Sequence, residues 1–398
     1  MGPSLISLFS NHRMKNTLII RSILTAALLS SFSVLSAPNS NLPAFDLLQG
    51  MPPPVRFESP EHQAIGASVM IKIPEGLEDL SKTQGKPGNQ VWVKSYTTSS
   101  GSKTLTYADI VWLSGDLMAE PNQSIGLSAT PEKTLDTNLA AYDKYQSYLP
   151  EIIRIYNEMT DAIKDQIRTG QKLDLSMKYD LQFNDATGGW GGFIVRGLYL
   201  DLADANFDHF DNQAAKTYFT AHEKALKIAA SAKSTEDLRT AYFIDGFGAH
   251  FLSDLYASGH IRVPRYEISK LCRGLLPVSL KAKSMHDEDG NSGLNMVDGR
   301  GRTWFAQGDK NYYTYQNAED RQRVVAALQQ SVDQVYAAYL SKNPSVEANN
   351  NVMRQIMPDI NATKTKNKDE KPPLYFSSDD GKSVMKRKSS GGYVTACP

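Results

Sequence analysis

Cysteine is scarce in this sequence, with two residues among 398, Cys272 and Cys397. That excludes a thiolate cage, so any metal site must be drawn from His, Asp and Glu. The two cysteines can close one disulfide or remain free thiols, and the sequence does not choose between them. Excess charge of either sign is also missing. There are 43 basic and 43 acidic residues, which offers no electrostatic footprint for a nucleic-acid partner. No internal repeat is visible. The run Gly188-Gly189-Trp190-Gly191-Gly192 lacks the Lys-Ser/Thr of a nucleotide loop, so it is a weak phosphate signal. One apolar run stands out, Ile23–Leu35, and it is short for a spanning helix.

That run sits in a different context. Arg13, Lys15 and Arg21 precede it, and Ser36-Ala37 follows it as a small-residue cleavage site before Pro38. Residues 1–37 therefore read as a secretory signal peptide. Its removal takes away three basic residues and no acidic one, leaving 40 against 43. The expectation is a secreted chain, periplasmic or extracellular, with no transmembrane segment in its mature form.

The remaining length suffices for one large core or two domains. Helical patterns dominate: Leu135–Arg168 with a break at Pro150, Asn212–Ala232, Thr235–Tyr256 and Ala318–Leu340. A polar, Lys/Asn/Ser-rich tail is expected over 346–398, mobile over 362–392.

The densest chemistry lies in Asp245–Arg265. His250 and Asp254 are four residues apart, so on a helix they share one face. Phe247, Phe251, Leu252, Leu255 and Tyr256 make that segment apolar, and a buried imidazole beside a buried carboxylate needs a partner. Ser258-Gly259 reads as the helix stop, with His260 bending back just beyond it. Two imidazoles and a carboxylate converging in this way suit zinc, although a lone His on an apolar helix is more often a satisfied core residue. Arg262 and Arg265 follow, as binders of an anionic substrate or as solvated charges.

Other candidates are scattered. His62 falls in the first turn of a helix opening at Pro60. Thr106 can cap a helix over Ile110, Val111 and Leu113, after which Asp116 is either a cap or a ligand. His209 lies between aromatic residues ahead of a strong helix. His222, among Thr220, Glu223 and Lys224, reads as an ordinary surface or core-edge residue. His286, Asp287, Glu288 and Asp289 form the densest run of ligand types. Its twelfth position counted from Asp287 is Asp298 rather than Glu, so an EF-hand fits poorly, and a leading His favours zinc.

In order along the chain, His62, Asp116, His209, His250-x3-Asp254-x5-His260 and the His286 acid group resemble the ligands of the zinc-dependent phospholipase C superfamily, which also contains zinc nucleases. The segments PEHQAIG, YADIVWLSGD, NFDHF, DGFGAHFLSDLYASGHIRVPR and MHDEDGNSGL are similar to secreted phosphatidylcholine-type phospholipases C of Gram-negative bacteria, over residues 55–310. The resemblance implies a mostly all-α fold with long loops and a few short strands, its catalytic domain spanning 38–345. It implies two or three Zn2+ ions. Asp116, His209, His250 and Asp254 would hold one. His260 and His286 would hold another with an acid from 287–289, for which Asp289 is the choice. Asp254 could bridge ions, and His62 would lie near a third. Asp116 would orient or deprotonate water, and phospholipid at a membrane surface would be the substrate. The pattern departs at Gly290, where better-known members carry Glu, and in lacking a Trp near Ala37. The rival readings are a nuclease on the same site and a non-catalytic, exported zinc- or membrane-binding protein.

Overall fold

A computed structural model describes residues 59–74, 80–169, 176–191, 194–272, 278–308 and 311–397. The signal peptide expected over 1–37 lies outside these residues. Among the described residues the fold is mostly all-α, with short antiparallel strands. No helix there is long and apolar enough to cross a membrane.

The chain enters through α1 (Ser59–Ser68) and a minimal ladder of β1 (Met70–Ile71) with β2 (Lys86–Pro87). A hairpin follows, β3 (Trp92–Thr98) and β4 (Gly101–Thr106), and leads into α2 (Tyr107–Leu113). The start of α2 is sharp because Thr106 and Asp109 form a reciprocal capping box, each side chain satisfying the other's backbone N–H. Next come α3 (Pro131–Lys144) and α4 (Leu149–Thr169), separated near Pro150 as expected, since proline fits only a helix's first turn. α5 (Ser176–Ala186) and α6 (Leu198–Ala205) then lead to the long helices α7 (Asp211–Ser231) and α8 (Thr235–Asp254).

α8 is the central element. It is capped by Ser234 with Asp237, and from Ala241 to Asp254 every residue is buried. A helix buried on all sides is hydrophobic all round. It is walled by α2, α7 and α12 (Ala318–Ser341). Its one charged residue in mid-length, Asp245, is satisfied by a network. Tyr107 Oη donates to Oδ2 at 2.9 Å, Ser331 Oγ donates to Oδ1 at 2.7 Å, and His222 Nδ1 meets Oδ1 at 2.8 Å. His222 is thus fully buried, not at the surface or core edge, and its Nε2 donates to Gln334 Oε1 at 2.8 Å. The polar neighbours of His222 in sequence lie on other faces of α7.

α8 ends at Asp254, earlier than the glycine suggests. Gly259 instead lies inside a one-turn helix, α9 (Ser258–Ile261), followed by α10 (Arg265–Leu271) and α11 (Val278–Ser292). The β5 (Leu294–Val297) and β6 (Thr303–Ala306) hairpin precedes α12.

The C-terminal region is folded, which corrects the expectation of a mobile tail. It contains α13 (Val346–Ile356), α14 (Ile360–Asn367) and a three-stranded sheet of β7 (Tyr375–Ser377), β8 (Val384–Arg387) and β9 (Tyr393–Cys397). Composition misled here because the order comes from outside the segment. A disulfide joins Cys272 to Cys397, and Tyr375 and Val384 are buried against Phe210, Val263 and Met285.

Candidate metal centre

Five of the seven histidines converge on Asp254 or on one another. Asp254 ends α8, fully buried, and neither carboxylate oxygen has a hydrogen-bond partner. Leaving a buried carboxylate so is costly. Around it stand His209 Nδ1 at 3.1 Å, His62 Nε2 at 3.5 Å, His250 Nε2 at 3.7 Å and His260 Nδ1 at 3.8 Å.

The outer nitrogens show which ring nitrogens carry protons. A carbonyl oxygen only accepts, so His250 Nδ1–H donates to Val111 O at 2.8 Å, and His260 Nδ1–H donates to His209 O at 2.8 Å. Ser253 Oγ gives its proton to His250 O at 2.6 Å and accepts from His62 Nδ1–H at 2.8 Å. His286 Nδ1–H donates to Asp287 Oδ1 at 3.1 Å. In the neutral rings, Nε2 of all four is then a lone pair. Two of these, His260 Nε2 and His286 Nε2, face each other at 3.3 Å. Facing lone pairs repel unless a cation lies between them. Outer-nitrogen hydrogen bonds of this kind orient metal-binding histidines in general.

Distances agree. With zinc–ligand bonds of about 2.0–2.1 Å in a tetrahedron, neighbouring donor atoms lie about 3.3–3.4 Å apart. His209 Nδ1, His250 Nε2 and Asp254 Oδ2 form a triangle with sides 3.2, 3.7 and 3.1 Å. Asp116 stands at the mouth, its side chain 27% exposed, with Oδ1 3.8 Å from His209 Nε2 and Oδ2 3.9 Å from His250 Nε2. His62, Asp116 and His250 make a second group able to hold an ion. These buried His and Asp groups can hold a metal ion; three imidazoles with carboxylates fit a borderline-soft divalent cation.

Electrostatics points the same way. Burial pushes the His250 imidazole well below its ordinary value, and the neighbouring His62 adds to this, so the ring is neutral and ready as a ligand. Burial alone would raise the Asp254 carboxyl, but His260, His250 and His209 outweigh it and hold the group well below the usual carboxylate range. Burial presses His209 down, while Asp254 and then Asp116 lift it to a net rise.

The fold supplies this geometry from separate elements. His250 and Asp254 come from α8, His62 from α1, and Asp116 from the turn after α2. His209 is fixed by its neighbour Asp208, which accepts from Ser124 Oγ at 2.5 Å and from the Ile125 and Gly126 amides at 2.7 and 2.9 Å. Two glycines make room, and sequence reading missed both roles. A Cβ on Gly115, whose φ is +76°, would lie 2.7 Å from His209 Nε2. A Cβ on Gly259 would lie 2.8 Å from His286 Cδ2.

Three residues proposed from sequence sit elsewhere. Asp289 gives both oxygens to Arg262, whose Nε and Nη2 donate at 2.7 Å each. The pair is buried, so Asp289 is spent as a salt-bridge partner and Arg262 is not a solvent-facing anion binder. Arg265 is also buried, donating to Ala203 O with its guanidinium over the Phe210 ring. The physical reason for Asp289 is the competing guanidinium. Asp289 lies three positions from His286 and so shares its face of α11, but Arg262 occupies both of its carboxylate oxygens. Asp287 reaches Lys283 as well as His286, and Glu288 reaches Arg387.

Beside His62 a small pocket is lined by Glu61, Ser253, Tyr256, Tyr312 and Asp320, among others. Comparison with protein-family models, curated proteins and solved structures gives no match in any of the three.

Proposed function

We propose that this chain is an exported zinc metallohydrolase that cleaves the glycerol-side phosphodiester of phospholipids, phosphatidylcholine above all, releasing diacylglycerol and a phosphorylated head group. The observation that carries the metal part is the convergence of the His62 and His250 Nε2 lone pairs on the Asp254 carboxylate, which has no hydrogen bond. The substrate part rests on the likeness of the 60–66, 107–116, 206–210, 245–265 and 285–294 segments to phospholipases C.

In this reading His209, His250, Asp254 and Asp116 hold one Zn2+. His260 and His286 contribute to another, and His62 borders the pair. Bound zinc would neutralise a phosphodiester's charge and lower the pKa of water. Asp116 is partly exposed where Asp254 is fully buried, which suits it to orient incoming water and accept its proton. His62, His250 and His260 keep their orientation through Ser253, Val111 O and His209 O. Export fits the basic–apolar leader and the single disulfide. Trp190 and Tyr315 are exposed aromatic side chains available to a lipid interface, whereas Trp304 and Tyr312 are buried.

The test is a substrate comparison. Purified mature protein with added zinc is given phosphatidylcholine vesicles and, separately, single-stranded DNA, beside an His250→Ala variant. Head-group release by the parent, absent in the variant and in chelator, is expected. Cleavage of DNA without lipid turnover would replace the phospholipase by a nuclease. Zinc bound without either activity would favour a non-catalytic zinc protein.

A further inference from the structure

The two halves of the centre are held by different parts of the chain. His209, His250 and Asp254 hang on the helical core. His260 and His286 lean on chain that arrives from the C-terminus. The Phe210 ring lies flat on His260, centroids 4.7 Å apart at 16°, and Phe210 shares a buried apolar cluster with Met285, Tyr375 and the Cys272–Cys397 disulfide. The Tyr375 amide donates to the sulfur of Met285, the residue before His286, at 3.4 Å.

Polar contacts add a second clamp. Arg262, two residues beyond His260, holds Asp289, three residues beyond His286, and its Nη1 donates to the Lys371 carbonyl. One guanidinium therefore ties α9, α11 and the C-terminal segment together. Lys371 Nζ returns to the carbonyls of Ser292 and Gly293 at 3.1 and 2.6 Å, at the end of α11. Arg387 donates to Glu288 at 2.6 Å and to the Pro372 carbonyl.

We propose that residues 371–397 are a positioning element for the His260–His286 half, latched by the Cys272–Cys397 disulfide, so that opening the latch loosens this half and spares the other. Its consequence for zinc rests on the metal reading above. The opening step is a reduction. A dithiol reductant supplies two electrons and two protons, the S–S bond becomes two cysteine thiols, and the reductant leaves as its own disulfide.

The test uses the full chain, as parent, as a Cys272→Ser/Cys397→Ser variant and as Arg387→Ala. The double variant has no thiol to capture metal, and the single variant serves if the double one does not fold. Amide hydrogen exchange is measured without metal, and bound zinc is counted by equilibrium dialysis at matched free zinc. Exchange should quicken by about tenfold or more in 258–261 and 278–292, with 107–113 and 241–254 unchanged. Bound zinc should fall from two ions to one. Unchanged exchange in 258–292, or a rise spread evenly over the chain, overturns the proposal. A parent that binds no zinc overturns the metal reading, while the exchange pattern still decides the positioning role.

Discussion

Asp254→Asn separates a metal ligand from a structural ion pair by which quantity it moves, zinc affinity or metal-free stability. The side chain is fully buried, its two oxygens lack hydrogen bonds, and its nearest partners are imidazole nitrogens at 3.1 to 3.8 Å. Asn has the same shape without the charge. If the carboxylate is there chiefly for a cation, the metal-free protein loses little on the change, and the larger effect falls on zinc binding. Zinc binding should then weaken by more than the roughly 10–100-fold typical of outer-sphere changes, because a direct ligand is lost. If Asp254 is instead the anionic half of a salt bridge with His209, the variant leaves a buried imidazolium unpaired. That costs about 3–5 kcal/mol in the metal-free state and leaves zinc affinity alone. Urea unfolding in chelator and zinc competition with a chromophoric chelator measure the two quantities. A large loss of metal-free stability with unaltered zinc affinity would refute the reasoning.

Other residues give sharper partial tests. Gly259→Ala places a methyl 2.8 Å from the His286 ring, so bound zinc should drop by one ion while thermal unfolding of the metal-free chain moves little; equilibrium dialysis reads this directly. His222→Ala removes the partner of Asp245 and Gln334 in the core, costing about 3 kcal/mol or more in urea unfolding without altering zinc stoichiometry. Asp320 carries a pH signature. Burial holds its carboxyl well above the ordinary range, and Trp304 Nε1 donates to Oδ1 at 2.7 Å. A folded pKa raised above the unfolded one, itself about 3.9, gives stability that is intact below the unfolded value and lost as pH rises through the folded value. Asp320→Asn keeps the acceptor and escapes that loss, so its urea midpoint should match the parent in acid and exceed it at neutral pH. A variant weaker than the parent at pH 7 would contradict this.

How much was legible in the sequence follows from what is local. His250 and Asp254 share a face because four residues is about one helical turn, and the Thr106 and Ser234 caps are likewise local patterns. Asp116, His209 and His62 could be listed by residue type, but what joins them to α8 is packing among α1, α2 and the Asp208 anchor. The fate of Asp289 is hidden in the sequence because its partner, Arg262, lies 27 residues away. The tail looked mobile because its composition is polar, whereas its order comes from Cys272 and from the apolar surface around Met285. His222 was misplaced because its sequence neighbours are polar, while its own side chain points the other way, into the core.

The central claim is that the buried His/Asp cluster is a zinc centre. Zinc bound by the purified chain, with the ligand atoms read by X-ray absorption, tests it most directly. The purified chain should carry tightly bound zinc ligated by imidazole nitrogen and carboxylate oxygen with no sulfur, since both cysteines are in the disulfide, and should lose that zinc in His250→Ala. A parent that binds no zinc, or a variant that keeps the parent's full complement, would contradict it.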